Sequence, residues 1–331
     1  MKASLNRLIG RCTALAMLAL LPTAQAAAQA AQFPTQGLRI VVPFGAGGGT
    51  DVVARTLAAR LTPVLGQTVT VENMPGGNSV IASRAVAAAQ PDGHTLLLTT
   101  DIHAINAAFD SNLPYDSLRD FSFVVQLTTS PLMLVAHPSL GVSSLADLVA
   151  AAKKNPDKLS FGSLGSSSPH YLAFEWWKSM AGVRIVDVPY KGGGQVLADN
   201  LAGHVGLSLI VAGNGVRQAN DGKLVPLAVT SAEPWTIGRT VPSFATSGFP
   251  ELVVMNWYAI LAPAKTPEAI VQRLNNEIRA ILKDPTVTEI FTKVGVQAST
   301  GSPAELEAMV RKDIDKYRRI IKLVGAKPEG K

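Results

Sequence analysis

Apolar positions along this chain switch repeatedly between two spacings. From Phe33 onward, short runs rich in β-branched residues alternate with stretches in which apolar residues return every three or four positions. That alternation predicts strands and helices in turn, the pattern of an α/β protein with mainly parallel strands. Residues 38–43 predict a first strand and residues 51–61 a first helix, apolar at Val52, Val53, Leu57 and Leu61. Residues 68–71, 79–89 and 94–99 predict a strand, an alanine-rich helix and a strand, the last after the turn Pro91-Asp92-Gly93. A short helical stretch follows at 103–109. Two strand-like runs, 121–127 and 132–136, are separated by Thr128, Thr129, Ser130 and Pro131, a candidate crossing between domains.

The pattern then repeats. A helix over 144–154 carries a serine cap, a strand at 159–161 enters a glycine- and serine-rich loop, and Pro169 suits the first turn of the next helix. A strand at 184–188, the loop 189–194 and a helix at 195–202 follow, with strands at 205–211 and 224–229. Residues 230–250 read as a connection, and the apolar run 252–261 as the return crossing. The tail is helical over 268–282, from Pro285, and from the capping box Ser302-x-x-Glu305 to about 324. With no strand companions, the tail helices are expected to pack back on the first sheet. The fold expected is α/β, with two doubly wound sheets in two lobes and a ligand cleft between them. Residues 33–127 plus 256–331 form the first lobe and residues 128–255 the second.

The N-terminus changes the picture. Lys2, Arg7 and Arg11 precede an apolar run at 14–21, then Pro22 and an alanine-rich segment with Ala-x-Ala sites. This is the form of a secretory signal peptide over 1–28, cleaved near 26–30, and the run is too short to span a bilayer. Export to the periplasm is expected. Cys12, the single cysteine, leaves with the signal, so no disulfide or thiolate metal site is anticipated. Removing the three cations lowers the formal charge from +6 to +3, and no basic tract interleaved with aromatics points to nucleic acid.

Candidate chemistry lies in the loops. Residues 40–51 read as a buried strand, a glycine-rich turn and a helix start, which aims unpaired N–H groups at one point and makes a seat for an anion. The same residues are consistent with a tight turn and nothing more. The loops at 163–170 and 190–194 repeat the arrangement, and ligands of open α/β sheets bind at such carboxyl ends of strands. A carboxylate is the expected ligand. Trp176 and Trp177, about 100° apart on a helix, are expected to place one ring in the core and one near the surface. Tyr190 could cover a ligand or pack structurally. Enzymatic readings are weaker: the glycine loop lacks the third glycine of a dinucleotide fingerprint, and no Gly-x-Ser-x-Gly elbow occurs. His94, His103, His137, His170 and His204 show no metal-ligand spacing, so no metal or cofactor is expected; only His170 sits at a loop-to-helix junction.

Several ordered blocks carry a family resemblance. They are residues 42–51 (VPFGAGGGTD), 71–78 (VENMPGGN), 89–96 (AQPDGHTL), 103–106 (HAIN), 167–170 (SSPH), 178–182 (KSMAG), 188–192 (VPYKG) and 222–231 (GKLVPLAVTS). Together they resemble the Bug family, extracytoplasmic solute receptors of tripartite tricarboxylate transporters, from about Phe33 to the end. The resemblance implies a type II periplasmic-binding-protein fold, a monomer that closes like a flytrap on a small carboxylate and serves membrane permease subunits, without enzymatic activity. It implies a first-lobe ligand loop of Phe44, Ala46, Gly47, Gly48, Thr50 and Asp51, and a second-lobe clamp of Ser163, Ser167, Ser168 and His170, with Tyr190 and Lys191 nearby. Where relatives often carry an Asp-Asn or similar polar pair, this chain has Ile210-Val211. An amino group on the ligand would lack its acidic partner there, so an unaminated mono- or dicarboxylate, aliphatic or aromatic, is expected. A serine-dependent periplasmic hydrolase and a ligand sensor for a membrane kinase are the alternatives.

Overall fold

The computed structural model describes residues 33–109, 112–190 and 192–328. The expected signal peptide and Lys191 lie outside the described residues. In chain order the first half comprises β1 (Leu38–Val42), α1 (Gly49–Leu65), β2 (Val69–Asn73), α2 (Val80–Ala87), β3 (Thr95–Thr100) and α3 (Ile102–Phe109). The long strand β4 (Phe121–Ala136) leads into α4 (Leu145–Lys154), β5 (Ser160–Ser163), α5 (Pro169–Ala181), β6 (Val186–Pro189), α6 (Gly193–Leu201), β7 (Leu207–Val211), α7 (Ala212–Asn220) and β8 (Val225–Val229). Then come β9 (Met255–Pro263), α8 (Glu268–Ile281), α9 (Pro285–Lys293), β10 (Gln297–Ala298) and α10 (Pro303–Val324).

Strands run in the order β2-β1-β3-β9-β4-β7-β5-β6, with β8 and β10 also paired to β4. β1 is parallel to β2 and β3, and β5 is parallel to β6 and β7, as strand-helix-strand units require. β9 runs antiparallel to both β3 and β4, while the far half of β4 pairs antiparallel with β7 and β8. Two sheets thus share β4, and every parallel strand delivers its carboxyl end to a helix start.

β4 differs from the two runs read in the sequence. Thr128, Thr129, Ser130 and Pro131 do not form a break: they pair with Tyr258, Trp257, Asn256 and Met255 of β9. Their polar side chains are absorbed inside the sheet, where Thr128 Oγ1 accepts from the Tyr258 N–H at 3.1 Å and Ser130 Oγ accepts from the Gln297 N–H at 3.1 Å. The crossing is therefore a continuous strand, stiffer than a polar linker.

The apolar faces collect on the two sides of these sheets. One core places α1, α8 and α9 over β1, β3 and β9, through Leu57, Leu61, Leu274 and Ile278. The other runs beneath α3, α5 and α10, with Phe161 stacked on Phe174 at 3.7 Å and Phe174 against Trp177 at 5.3 Å. Trp176 and Trp177 are both buried, at 8% and 0% exposure. The helical spacing between them is real, but α10 covers the flank of α5 that would otherwise leave Trp176 at the surface.

α10 also departs from the expectation for the tail. It packs on α3 of the first half and on α5 of the second, and so bridges the two. A polar contact fixes it to the crossing: Trp257 Nε1 donates to Asp313 at 2.8 Å, and Lys316 of the same helix pairs with that carboxylate at 2.7 Å. Beside it, Asn256 of β9 donates to buried Asp101 at 3.1 Å. Beyond the helix, the Ser166 hydroxyl donates to the carbonyl of Lys327 at 2.7 Å.

Candidate ligand cleft

β1 ends at Val42, and the next turn needs a backbone that only glycine adopts without strain: Gly47 has φ +84°. Gly48 precedes α1 as an extended N-cap with no side-chain acceptor, so no side chain caps the first N–H groups of α1. Residues 45–48 are exposed, Phe44 is half-buried, and Thr50 and Asp51 are buried.

Asp51 holds this loop together. Its Oδ2 accepts from the Gly47 N–H at 2.9 Å and from Arg55 Nε at 2.9 Å, and its Oδ1 accepts from Asn73 Nδ2 at 2.9 Å. The same Asn73 amide donates to the Phe44 carbonyl at 3.0 Å. The Arg55 contact, aided by Gly47 and Asn73 and opposed by burial, lowers the Asp51 pKa to about 2. Asp51 is thus an ionised anchor whose oxygens are taken by the chain itself. Asn73 was not singled out in the sequence. Its signal was its place at the carboxyl end of β2, level with the glycine loop.

The second half presents a cavity of about 220 Å³ at the carboxyl ends of β5 and β7. Leu164, Leu197, Leu209, Ile210 and Val211 make its apolar wall, and His170 and Asn214 are its polar side chains. Glycines admit the space: Gly193 and Gly194 begin α6 behind an N-cap, Gly192, that offers no side-chain acceptor. Gly162 lies so close to the wall that a β-carbon there would meet Val196 at 3.0 Å. The His170 ring is half-buried, its Nδ1 is buried without a protein partner, and burial lowers its pKa to about 4. The imidazole is therefore neutral at neutral pH and free to offer one nitrogen to a ligand.

The serines of this half have other duties. Ser168 Oγ caps α5, accepting from the Tyr171 N–H at 3.2 Å and donating to the Gly165 carbonyl at 2.8 Å. Ser163 is fully buried and accepts from the Gly165 N–H at 3.3 Å. Ser167 is buried in the same turn. Tyr190 lies over Gly162, yet its hydroxyl donates to Asp199 at 2.7 Å. Among the described second-lobe residues expected to meet a ligand, His170 alone lines the cavity. The uncapped start of α6 and the Ile210-Val211 wall are its other parts. The glycine triplet 192–194 was their sequence signal.

The two halves meet beside these features. A β-carbon on Gly49 would stand 3.7 Å from the Tyr258 hydroxyl and 4.0 Å from Val294 Cβ. Gly295, next along, abuts Gly213 and Asn214 at the start of α7. Arg217 of α7 donates to the carbonyl of Lys293 at 3.4 Å. The glycine loop of the first half and the cavity of the second thus flank one junction, each built from strand ends and uncapped helix starts.

A two-lobed α/β molecule with facing helix starts and strands crossing between the lobes is the architecture of periplasmic binding proteins. The chain belongs to the tripartite tricarboxylate transporter receptor family, whose model matches residues 53–326. It is 33% identical over 317 residues to a protein encoded between tcbD and tcbE in a Pseudomonas species, spanning 95% of this chain and 94% of that one. BugT of Bordetella pertussis is 32% identical over 297 residues, 89% of this chain and 91% of BugT. Among solved structures, Rpa4515 of R. palustris with adipate matches at TM-score 0.80 and 34% identity, over 89% of this chain and 99% of that one. MatC of Rhodopseudomonas palustris with bound malate matches at 0.77 and 29%, over 87% and 100%. Among the described residues no helix is long and apolar enough to cross a membrane.

Proposed function

We propose that this protein is an exported solute receptor that captures a small, unaminated carboxylate between its lobes and delivers it to the membrane permease of a tripartite tricarboxylate transporter. The observation that carries this reading is the pair of uncapped helix starts, α1 behind Gly48 and α6 behind Gly192, placed in opposite lobes at one junction. Backbone N–H groups there bind an anion without a cationic side chain. The lobes in this reading are residues 33–127 with 256–331, and residues 128–255. A ligand held by both lobes contacts the closed state more fully than the open one, so occupancy biases closure and becomes visible to a membrane partner.

The structures solved with adipate and with malate support a carboxylate as the ligand class. The serine arrangement supports binding over hydrolysis, because the Ser168 hydroxyl is spent on a helix cap. Native mass spectrometry of the protein purified from its periplasm tests the reading. A co-purifying small acid, returned unchanged after incubation and raising the melting temperature on re-addition, is the expected result. Conversion of that acid to a product would overturn it.

A further inference from the structure

The cavity in the second lobe separates its chemistry sharply. Its polar groups are the His170 imidazole, the Asn214 amide and the N–H groups of Gly193 and Gly194. The Asn214 Oδ1 already accepts from Arg217 Nη2 at 3.0 Å. Between these groups the wall is hydrocarbon: Leu164, Leu197, Leu209, Ile210 and Val211. Ile210 and Val211 close β7, where the strand hands over to α7, and both line the cavity. The cavity, about 220 Å³, has room for the body of a small organic acid.

We infer that the ligand is an acid whose carbons between its ends bear no hydroxyl, oxo or amino group. This rests on the carboxylate-receptor reading above and deepens it. The anionic end or ends are met by backbone N–H groups and by His170. The carbon body lies along the leucine, isoleucine and valine wall, whose side chains offer neither a donor nor an acceptor. A hydroxyl placed there gives up its water and gains no partner. An apolar wall rejects an added hydroxyl by a limited factor, on the order of a hundredfold, so the discrimination is expected at about ten- to a hundredfold.

The test is isothermal titration of matched pairs that differ by one hydroxyl: succinate against malate, adipate against 3-hydroxyadipate, and hexanoate against 2-hydroxyhexanoate. In whichever pair binds, the unsubstituted acid is expected to be at least tenfold tighter. Ile210→Asn, which puts an amide on the wall, should shrink that ratio at least threefold. Since Ile210 is buried, Val211→Asn serves as a second variant; it occupies the uncapped N-cap of α7, a position that asparagine suits. Equal or tighter binding of the hydroxylated partner would overturn the inference and leave the receptor reading standing. Absence of any binding across the pairs, together with no acid found in the purified protein, would overturn both.

Discussion

Gly213 at the start of α7 and Gly295 at the turn before β10 lie backbone to backbone: a β-carbon on Gly213 would stand 2.7 Å from the Gly295 Cα and 2.8 Å from its carbonyl oxygen. In the lobe division proposed above the two residues lie in opposite lobes, so a methyl group at this point would separate bodies that must approach. Overpacking against backbone costs about 1–3 kcal/mol. Gly213→Ala is expected to enlarge the radius of gyration by small-angle scattering and to weaken ligand binding. An unchanged radius with undiminished affinity would show that the contact does not set the closed geometry.

The glycine loop allows its two central residues to be told apart. Gly47 has φ +84° with open space around a built β-carbon, so Gly47→Ala is strained by conformation alone, by about 1–2 kcal/mol. Gly48 is extended, with the Gly45 carbonyl 3.8 Å from a built β-carbon, and tolerates alanine in the fold. Gly47→Ala should lower the melting temperature and ligand affinity together. Gly48→Ala should leave the melting temperature in place and reduce affinity by crowding the exposed face. Full affinity in both variants would reduce the loop to a turn.

Asp51→Ala removes one acceptor from Gly47, one from Arg55 and one from Asn73. Water can take the bonds of exposed Gly47 and Arg55, so the main effect expected is that the loop loses its set geometry. The pH dependence has a definite sign. The folded pKa is depressed from 3.8 to about 2, so the stabilisation is present above pH 3.8 and is lost as pH falls through that interval. Thermal melts of the wild type between pH 4 and 2 should show this loss, and the Asp51→Ala protein should lack that part of the slope.

Asp101 carries the opposite sign. Burial, then the charge of Asp313, raises its pKa to about 8, while Lys316 and the Asn256 amide pull the other way. The buried phenols of Tyr258 and Tyr317 also face this carboxyl; burial first, and then the charge of Asp101, raises the pKa of both. A raised carboxyl pKa means stability present below pH 3.8 that drains away as pH rises toward about 8. Asp101→Asn keeps an acceptor for Asn256 and removes the ionisation. Its melting temperature should gain on the wild type as pH increases through this window and hold a constant gain above it. A gain independent of pH would show that Asp101 is already ionised in the folded protein.

Much of the architecture was legible from local pattern. The strand at 38–43, the helices capped by Ser144 and Ser302, the helix opened by Pro169, and the order of strand-loop-helix units follow from side-chain periodicity and capping chemistry that neighbouring residues supply by themselves. The ordered blocks from Val42 to Ser231 also carried the family. His170 stood out at its loop-to-helix junction, and the structure puts it on the cavity wall.

What the chain order could not decide was where a polar group spends its hydrogen bonds. Thr128 and Ser130 looked like linker residues until β9 and β10 supplied their partners from more than a hundred residues away. Asp51 and Ser168 are expected at the ligand from the sequence; the structure adds the internal hydrogen bonds they make, Asp51 with Arg55 and Asn73 and Ser168 with its own helix. Trp176 is buried because α10 returns across both lobes to cover it. Periodicity is set within a few residues of the chain and can be read there. Burial and hydrogen-bond satisfaction are set by partners that only folding brings near, and so the tertiary structure alone gathered Leu164, Leu197 and Ile210 around His170 in one cavity.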